Sequence, residues 1–476
     1  MRFLSRQDLL ARGVDRRHRW PVGPVDGIVP SLNLGRTSGA PERALVRAVG
    51  IVGLAAGIVN VTIGGGIFRL PSGVAALLGA AAPLAYIVCA AAMALVVLCF
   101  AEAASRVSLT GGVYAYVEVA FGPLVGFVTG VLLWVGLTSA LAAVSSFFAD
   151  SIAALVPALA SANAKRAVIL VVFALLAGLN VRGVRGASRF NTVLTAAKLV
   201  PLLVLIGFGF LALRAENLRW TGTPSGGDVA RASLLLIFAF LGIEAALVPG
   251  GEVRDPARTA PRAIFLAMVA IVAIYLAVQI AAQGVLGPSL ATQATPLAAA
   301  AGVAAGPWGR TLILVGSSLS MFGYVSGMTL SVPRMLFAFA RDGFLPAAVS
   351  SVHPRFRTPH VAIAIQAAIA ALLALTGSFE PLAILANGSV LLVYAGCCLA
   401  ALELRRRDVR LEGAPPVFRG RAMSVVPWLA LAFIVWLLAS LRLREWIAVV
   451  AVALVALLAY RVARWRTKVA PDAREG

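Results

Sequence analysis

Two glycine-rich interruptions within apolar stretches carry most of the chemistry this chain can offer. The first reads Asn60-Val-Thr-Ile63-Gly64-Gly65-Gly66-Ile67-Phe68. Three consecutive glycines cost a helix about 1 kcal/mol each relative to alanine, and the apolar stretch around them, 46–78, exceeds the ~20 residues of a straight crossing. A helix broken at these glycines explains both features. The second interruption, Phe238-Ala239-Phe240-Leu241-Gly242-Ile-Glu244, runs on into Pro249-Gly250-Gly251-Glu252. Lipid satisfies no backbone N–H or C=O group, so a break must face protein or a polar cavity. The half-helix starting near Gly66 aims its N-terminal N–H groups, a positive dipole end, at the break and suits a carboxylate. The half-helix ending near Leu241 offers free carbonyls that suit an ammonium. Together the breaks can hold the acid and amine ends of one amino acid. The rival explanation for the glycines is close helix packing. A phosphate loop is excluded, because no Gly-Lys-Ser/Thr follows.

Lys198 and Glu244 are the deep ionisable groups. Only three lysines occur among 41 cationic residues, and Lys198 sits in the apolar run Thr195-Ala-Ala-Lys198-Leu-Val-Pro201, where a charge costs at least ~2.5 kcal/mol. Unlike arginine, lysine can lose its proton on burial. A snorkelling lysine is the alternative, but Lys198 lies nine residues beyond Arg189 at the cytoplasmic end. Glu244 is either a proton carrier or a structural partner of a broken-helix end. Glu102 and Glu252 fall near span ends and read as gate or loop anchors. Arg69, just past the first break, either faces the outer vestibule or pairs with Asp150 or another helix end.

Apolar spans must position these residues. The chain of 476 residues is 60% hydrophobic and 13% charged, against about 25% charged in soluble domains. Spans are expected near 46–78, 83–106, 123–155, 167–182, 187–213, 231–252, 261–286, 309–339, 359–377, 381–403, 424–441 and 445–463. The net charge of +21 does not indicate nucleic-acid binding. Of the 41 Lys and Arg, 31 fall at one set of alternating connections and termini, 8 at the other, and Arg69 and Lys198 within spans. That asymmetry is the positive-inside pattern, which puts both termini in the cytoplasm of a multi-pass inner-membrane protein. The four cysteines lie in apolar spans without metal-ligand spacing, and the three histidines at or beyond the cytoplasmic edge. Neither a metal nor a cofactor is expected.

Residues 1–45, rich in arginine with no apolar h-region, are expected to form a basic, disordered cytoplasmic tail rather than a signal peptide. A transporter core follows over 46–404, then helices 11 and 12 over 405–465 and a short tail, 466–476. The two breaks lie five spans apart, an odd number, so a repeat of that length inserts with opposite topology. Paired broken helices in corresponding positions point to a transporter binding site.

Several motifs in order resemble the amino acid–polyamine–organocation (APC) superfamily of permeases. Ile63-Gly-Gly-Gly-Ile-Phe68 is similar to its Gly-Ser-Gly-Ile-Phe motif, with Gly65 in place of serine. Phe238-Ala-Phe-Leu-Gly-Ile-Glu244, with Gly251-Glu-Val-Arg-Asp-Pro256 and Pro261-Arg-Ala263, resembles its sixth-span motif. Pro333-Arg-Met-Leu-Phe-Ala-Phe-Ala-Arg-Asp-Gly-Phe-Leu-Pro346 resembles the segment ending its eighth span. Phe100-Ala-Glu102, Gly111-Gly-Val-Tyr114 and Phe121-Gly122 add to the match over 46 to about 400.

The resemblance implies an all-α membrane protein of about twelve helices with a LeuT-type 5+5 inverted repeat and discontinuous helices 1 and 6. It implies a substrate site at Ile63, Gly64, Gly65, Gly66 and Ile67, at Phe238, Ala239, Leu241 and Gly242, and at Met328, where many relatives carry tryptophan. Phe238 would close over the substrate. Lys198 would place its ammonium where sodium-coupled members bind their ion. The activity implied is sodium-independent amino acid transport by alternating access, with protons as the possible coupling ion through Lys198 or Glu244. An obligate exchanger of amino acids or polyamines is the alternative. A membrane enzyme or sensor lacks support, since neither clustered acids nor a soluble output domain is present.

Overall fold

The computed structural model describes residues 51–107, 113–182, 187–220, 222–242, 256–409 and 422–469. Among these residues there is no strand, as expected where a chain must satisfy its backbone without water. Fifteen α-helices are described: α1 (Ile51–Thr62), α2 (Gly66–Leu78), α3 (Ala82–Arg106), α4 (Val113–Phe121), α5 (Pro123–Leu155), α6 (Ala162–Arg182), α7 (Ala187–Leu211), α8 (Gly226–Phe240), α9 (Pro256–Leu286), α10 (Pro296–Ser331), α11 (Pro333–Arg341), α12 (His360–Thr376), α13 (Phe379–Arg406), α14 (Ala422–Ala439) and α15 (Leu443–Val469).

Local chemistry sets many of the boundaries. Prolines in the first turn start α3, α5, α10 and α11, where the missing N–H costs nothing. Ser225 caps α8 by accepting from the Asp228 N–H. Gly122, at φ 90°, turns the chain between α4 and α5, a conformation that only glycine adopts readily. The expected connection 288–307 is shorter than anticipated. It holds a 3-10 turn, Gly287–Thr292, and the first part of α10, which bends at Gly306 (φ 78°) before Pro307. Within the eighth span Pro333 opens the short helix α11, and the apolar helical stretch runs on to Arg341.

Seven continuous helical stretches among the described residues are long and apolar enough to cross a membrane. Leu170, Val171, Leu175, Val455 and Leu458 expose large apolar side chains on α6 and α15, faces that only lipid or a partner would cover. Polar residues turn inward instead. Trp134 Nε1 donates to Gln366 Oε1 (2.8 Å), and Gln366 Nε2 to Thr138 Oγ1 (3.0 Å), joining α5 to α12. At the C-terminal end of α3, Arg106 pairs with Glu102 at 2.8 Å, both buried. The core lies where α5 packs on α10 and α13, α1 on α9, and α2 on α8. Both interruptions meet there.

Candidate substrate-binding site

The first break is short and well defined. After α1 the Ile63 N–H still reaches the Val59 carbonyl (2.9 Å), and the Gly64 N–H turns back on the Thr62 carbonyl (2.8 Å). Gly65 precedes α2 without any side-chain cap, leaving the first N–H groups of that helix directed at the gap. The second break begins where α8 ends at Phe240. Leu241 is extended (φ −61°, ψ 139°), and Gly242 stands at φ 104°, where a side chain would be strained.

A small cavity of about 20 Å³ lies between the breaks, lined by Thr62, Gly64, Gly65, Gly66, Val144, Phe238, Ala239, Leu241 and Tyr324. That is room for about one water, well below the ~300–1,000 Å³ of ligand sites. None of the nine is a carboxylate or a cation, so the formal charges of a bound zwitterion would meet backbone dipoles rather than side-chain ions. The glycines are packed to different degrees. A Cβ on Gly65 would lie 2.8 Å from Met321 Cγ and 3.1 Å from Val144 Cγ1, and one on Gly66 would lie 2.9 Å from Phe238 Cδ1. A Cβ on Gly64 would meet nothing closer than 3.9 Å. Phe238 covers the Gly66 end and stacks edge-on against Phe379 at 5.3 Å, which in turn meets Phe147 at 5.9 Å.

Of the residues expected at the site, Gly64, Gly65, Gly66, Phe238, Ala239 and Leu241 line the cavity, and Gly242 supplies the turn behind it. Ile63 and Ile67 are fully buried in the surrounding core instead of on the wall. Met328 is half-buried on α10, one turn beyond Tyr324, and is not on the wall. Lys198 is half-buried on α7 and also off the wall. Glu244 and Glu252 lie outside the described residues. Arg69 resolves its alternatives: Nη1 donates to the Gln293 carbonyl at 3.0 Å and to Ser72 Oγ, tying α2 to the end of the 3-10 turn. Asp150 is held by Lys165 at 2.7 Å.

Sequence reasoning missed Thr62, Val144 and Tyr324 on the wall, and Tyr275 behind it. The Tyr275 hydroxyl, on α9 and fully buried, donates to the Ala239 carbonyl (2.8 Å) with the Thr62 carbonyl 3.2 Å away. One phenol therefore touches the C-terminal carbonyl ends of both broken helices. Tyr324 had a signal, being four residues before Met328 and so on the same helical face. Tyr275 had none, because nothing local distinguishes it from a packed aromatic.

A helix interrupted at Gly64–Gly65 and a second that ends at Leu241–Gly242, facing each other across a small cavity inside an apolar helical bundle, fit a secondary-transporter type of site. Residues 49–460 match the amino acid permease family, and the chain belongs to it, within the APC superfamily and its LeuT-type fold. It is similar to the branched-chain amino acid permease BcaP of Bacillus subtilis, 28% identical over 88% of this chain and 92% of the relative. The methylthioribose transporter of the same organism is 28% identical, over 86% of this chain and 91% of its own length. The human Asc-type amino acid transporter 1 is 30% identical, over 79% of this chain and 75% of its own.

Proposed function

We propose that this permease carries a zwitterionic amino acid with an uncharged side chain, independently of sodium and coupled to protons, by alternating access. The carrying observation is the cavity wall: two helix breaks supply backbone N–H and C=O groups, and among the described residues no wall residue is a carboxylate or a cation. A cationic or polyamine substrate would find no counter-ion among the described wall residues, and burying a charge unpaired is costly. The relative named for branched-chain amino acids supports a neutral substrate. In this reading α1–α2 and α8 are the discontinuous helices 1 and 6 of a 5+5 inverted repeat, two more helices complete about twelve crossings, and both termini are cytoplasmic. Lys198 supplies the positive charge that sodium supplies elsewhere, and Lys198 or Glu244 carries the proton.

The relative named for methylthioribose gives a second reading a specific footing, since an uncharged wall also suits a neutral thioether sugar. A thermal-shift screen of purified protein against the standard amino acids, common polyamines and methylthioribose separates these. Stabilisation by neutral amino acids alone is expected; stabilisation by methylthioribose alone, or by polyamines, overturns the assignment. Proteoliposome uptake of the best ligand, with sodium or choline and with or without internal amino acid under an inward proton gradient, tests coupling. Net uptake that is equal in both salts and rises with the proton gradient is the expected result. Uptake only when amino acid is preloaded would establish exchange.

A further inference from the structure

Three residues of α9 at successive four-residue steps, Tyr275, Gln279 and Gln283, are buried to 0%, 0% and 2% exposure. They lie on one helical face, on a helix that packs against α1, α3, α7 and α10. Their polar atoms are only partly matched. Tyr86 Oη, on α3, donates to Gln279 Oε1 at 3.0 Å, and Gln283 Nε2 donates to the Gly287 carbonyl at 3.2 Å. Among the described residues, Gln279 Nε2 and Gln283 Oε1 are buried without a hydrogen-bond partner. A donor amide and an acceptor amide thus stand orphaned one turn apart on the same face. Leaving each unmade costs about 1–3 kcal/mol, and a buried polar gap of this kind is what an internal water fills. Rotating either amide by half a turn exchanges the orphaned atom but still leaves one on each side chain.

We propose that α9 holds a buried water site between Gln279 and Gln283, and that this site completes a polar track from the cavity to the outer edge of the protein. At its inner end Tyr275 touches the Ala239 and Thr62 carbonyls, and Thr62 both lines the cavity and buries an unpartnered Oγ1. At the other end Gly287 precedes exposed Pro288 and Ser289. This end is outer by the orientation proposed above. The helical rise from 275 to 287 is about 18 Å. The track bypasses the aromatic stack of Phe238, Phe379 and Phe147. Water can therefore reach the back of the cavity while that stack is closed, and it can replace or release the groups that a substrate exchanges for solvent.

Pulsed X-ray hydroxyl-radical footprinting of the full chain in nanodiscs tests this, because bound water converts to radicals beside the side chains it touches. Tyr86, adjacent to Gln279, should be oxidised despite 0% exposure, whereas Tyr394, equally buried against Phe100, should not. Exposed Trp220 serves as the positive control. In the Gln279→Leu/Gln283→Leu variant the label on Tyr86 should fall to the level of Tyr394. Tyr86 as unlabelled as Tyr394 in the unaltered protein, with Trp220 labelled, would overturn the proposal, since the two amides must then pair directly. Full labelling of Tyr86 in the leucine variant would overturn it as well. If that variant does not assemble, the contrast between Tyr86 and Tyr394 in the unaltered protein still decides.

Discussion

Restoring serine at position 65 should weaken ligand binding, although serine is the residue of the family motif that this stretch resembles. The reason is Met321. A Cβ on Gly65 would stand 2.8 Å from Met321 Cγ and 3.1 Å from Val144 Cγ1, well inside the 3.5–4.0 Å optimum for carbon pairs. Met321 and Val144 are buried to 0% and 1% exposure, so neither moves into free space. Overpacking of this kind costs about 1–3 kcal/mol. Spent on the ligand-binding geometry of the first break, that is about a 5- to 150-fold loss of affinity at 1.4 kcal/mol per tenfold. Methionine is the most adaptable of core side chains, and the contact is with Cγ rather than the mobile end, so a loss near the middle of that range is expected. The assay is a four-point cycle of the unaltered protein, Gly65→Ser, Met321→Ala and the double variant, titrated with the amino acid giving the largest thermal shift. Met321→Ala removes the obstructing carbon, so Gly65→Ser should cost little in that background, and the new hydroxyl can add a hydrogen bond to the ligand carboxylate. Equal loss in both backgrounds, or no loss in the first, would refute the steric reasoning.

Gly66→Val should abolish ligand binding while the protein still purifies as a monodisperse species, because its Cβ would meet the Phe238 ring at 2.9 Å; unchanged affinity in a ligand titration would remove the first break from the site. By contrast Gly64→Ala, whose Cβ meets nothing within 3.9 Å, should bind within a few-fold of the unaltered protein by the same titration. Tyr275→Phe removes the hydroxyl from the Ala239 and Thr62 carbonyls and should destabilise the ligand-free protein by about 1 kcal/mol. The deficit in melting temperature should shrink at saturating amino acid, when the ligand ammonium takes up the same carbonyls. Arg231 binds Glu445 through two 2.5 Å contacts that join α8 to α15; Glu445→Gln should lower the melting temperature, with a loss of about 1.5–3 kcal/mol, and leave ligand affinity unchanged.

The two breaks were legible because glycine and proline act locally. Three adjacent glycines state their conformational cost without reference to any other part of the chain, and the chain does break there, between Thr62 and Gly66. Leu241 and Gly242 were legible for the same reason, the second standing at φ 104°. Arg69 was visible as an anomaly, but its partner, the carbonyl of Gln293, lies 224 residues away and has no side-chain signature. The wall residues Val144 and Tyr324 were hidden for a different reason. In a soluble helix a polar face fixes the rotation about its axis, whereas a helix bounded by lipid on one side and protein on the other is apolar all round. Nothing in α5 therefore announces which residue points inward, and α10 offers only the four-residue spacing of Tyr324 from Met328.

This division runs through the site itself. In the proposed binding mode, the part of the ligand common to all amino acids, its carboxylate and ammonium, faces backbone groups from two contiguous segments, 62–66 and 239–242, and contiguous segments can be read from sequence. In that mode the part that distinguishes one amino acid from another faces side chains brought in by α5 and α10, with Met321 packed behind Gly65. Changes on those two helices can alter the pocket without touching either break, since Val144 and Tyr324 contribute only side chains to the wall while the glycines contribute backbone. Chains sharing both breaks can then differ in cargo, as relatives named for branched-chain amino acids and for methylthioribose already illustrate. Substrate exchange between such permeases should accordingly follow substitutions at 144, 321 and 324, not at glycines 64–66.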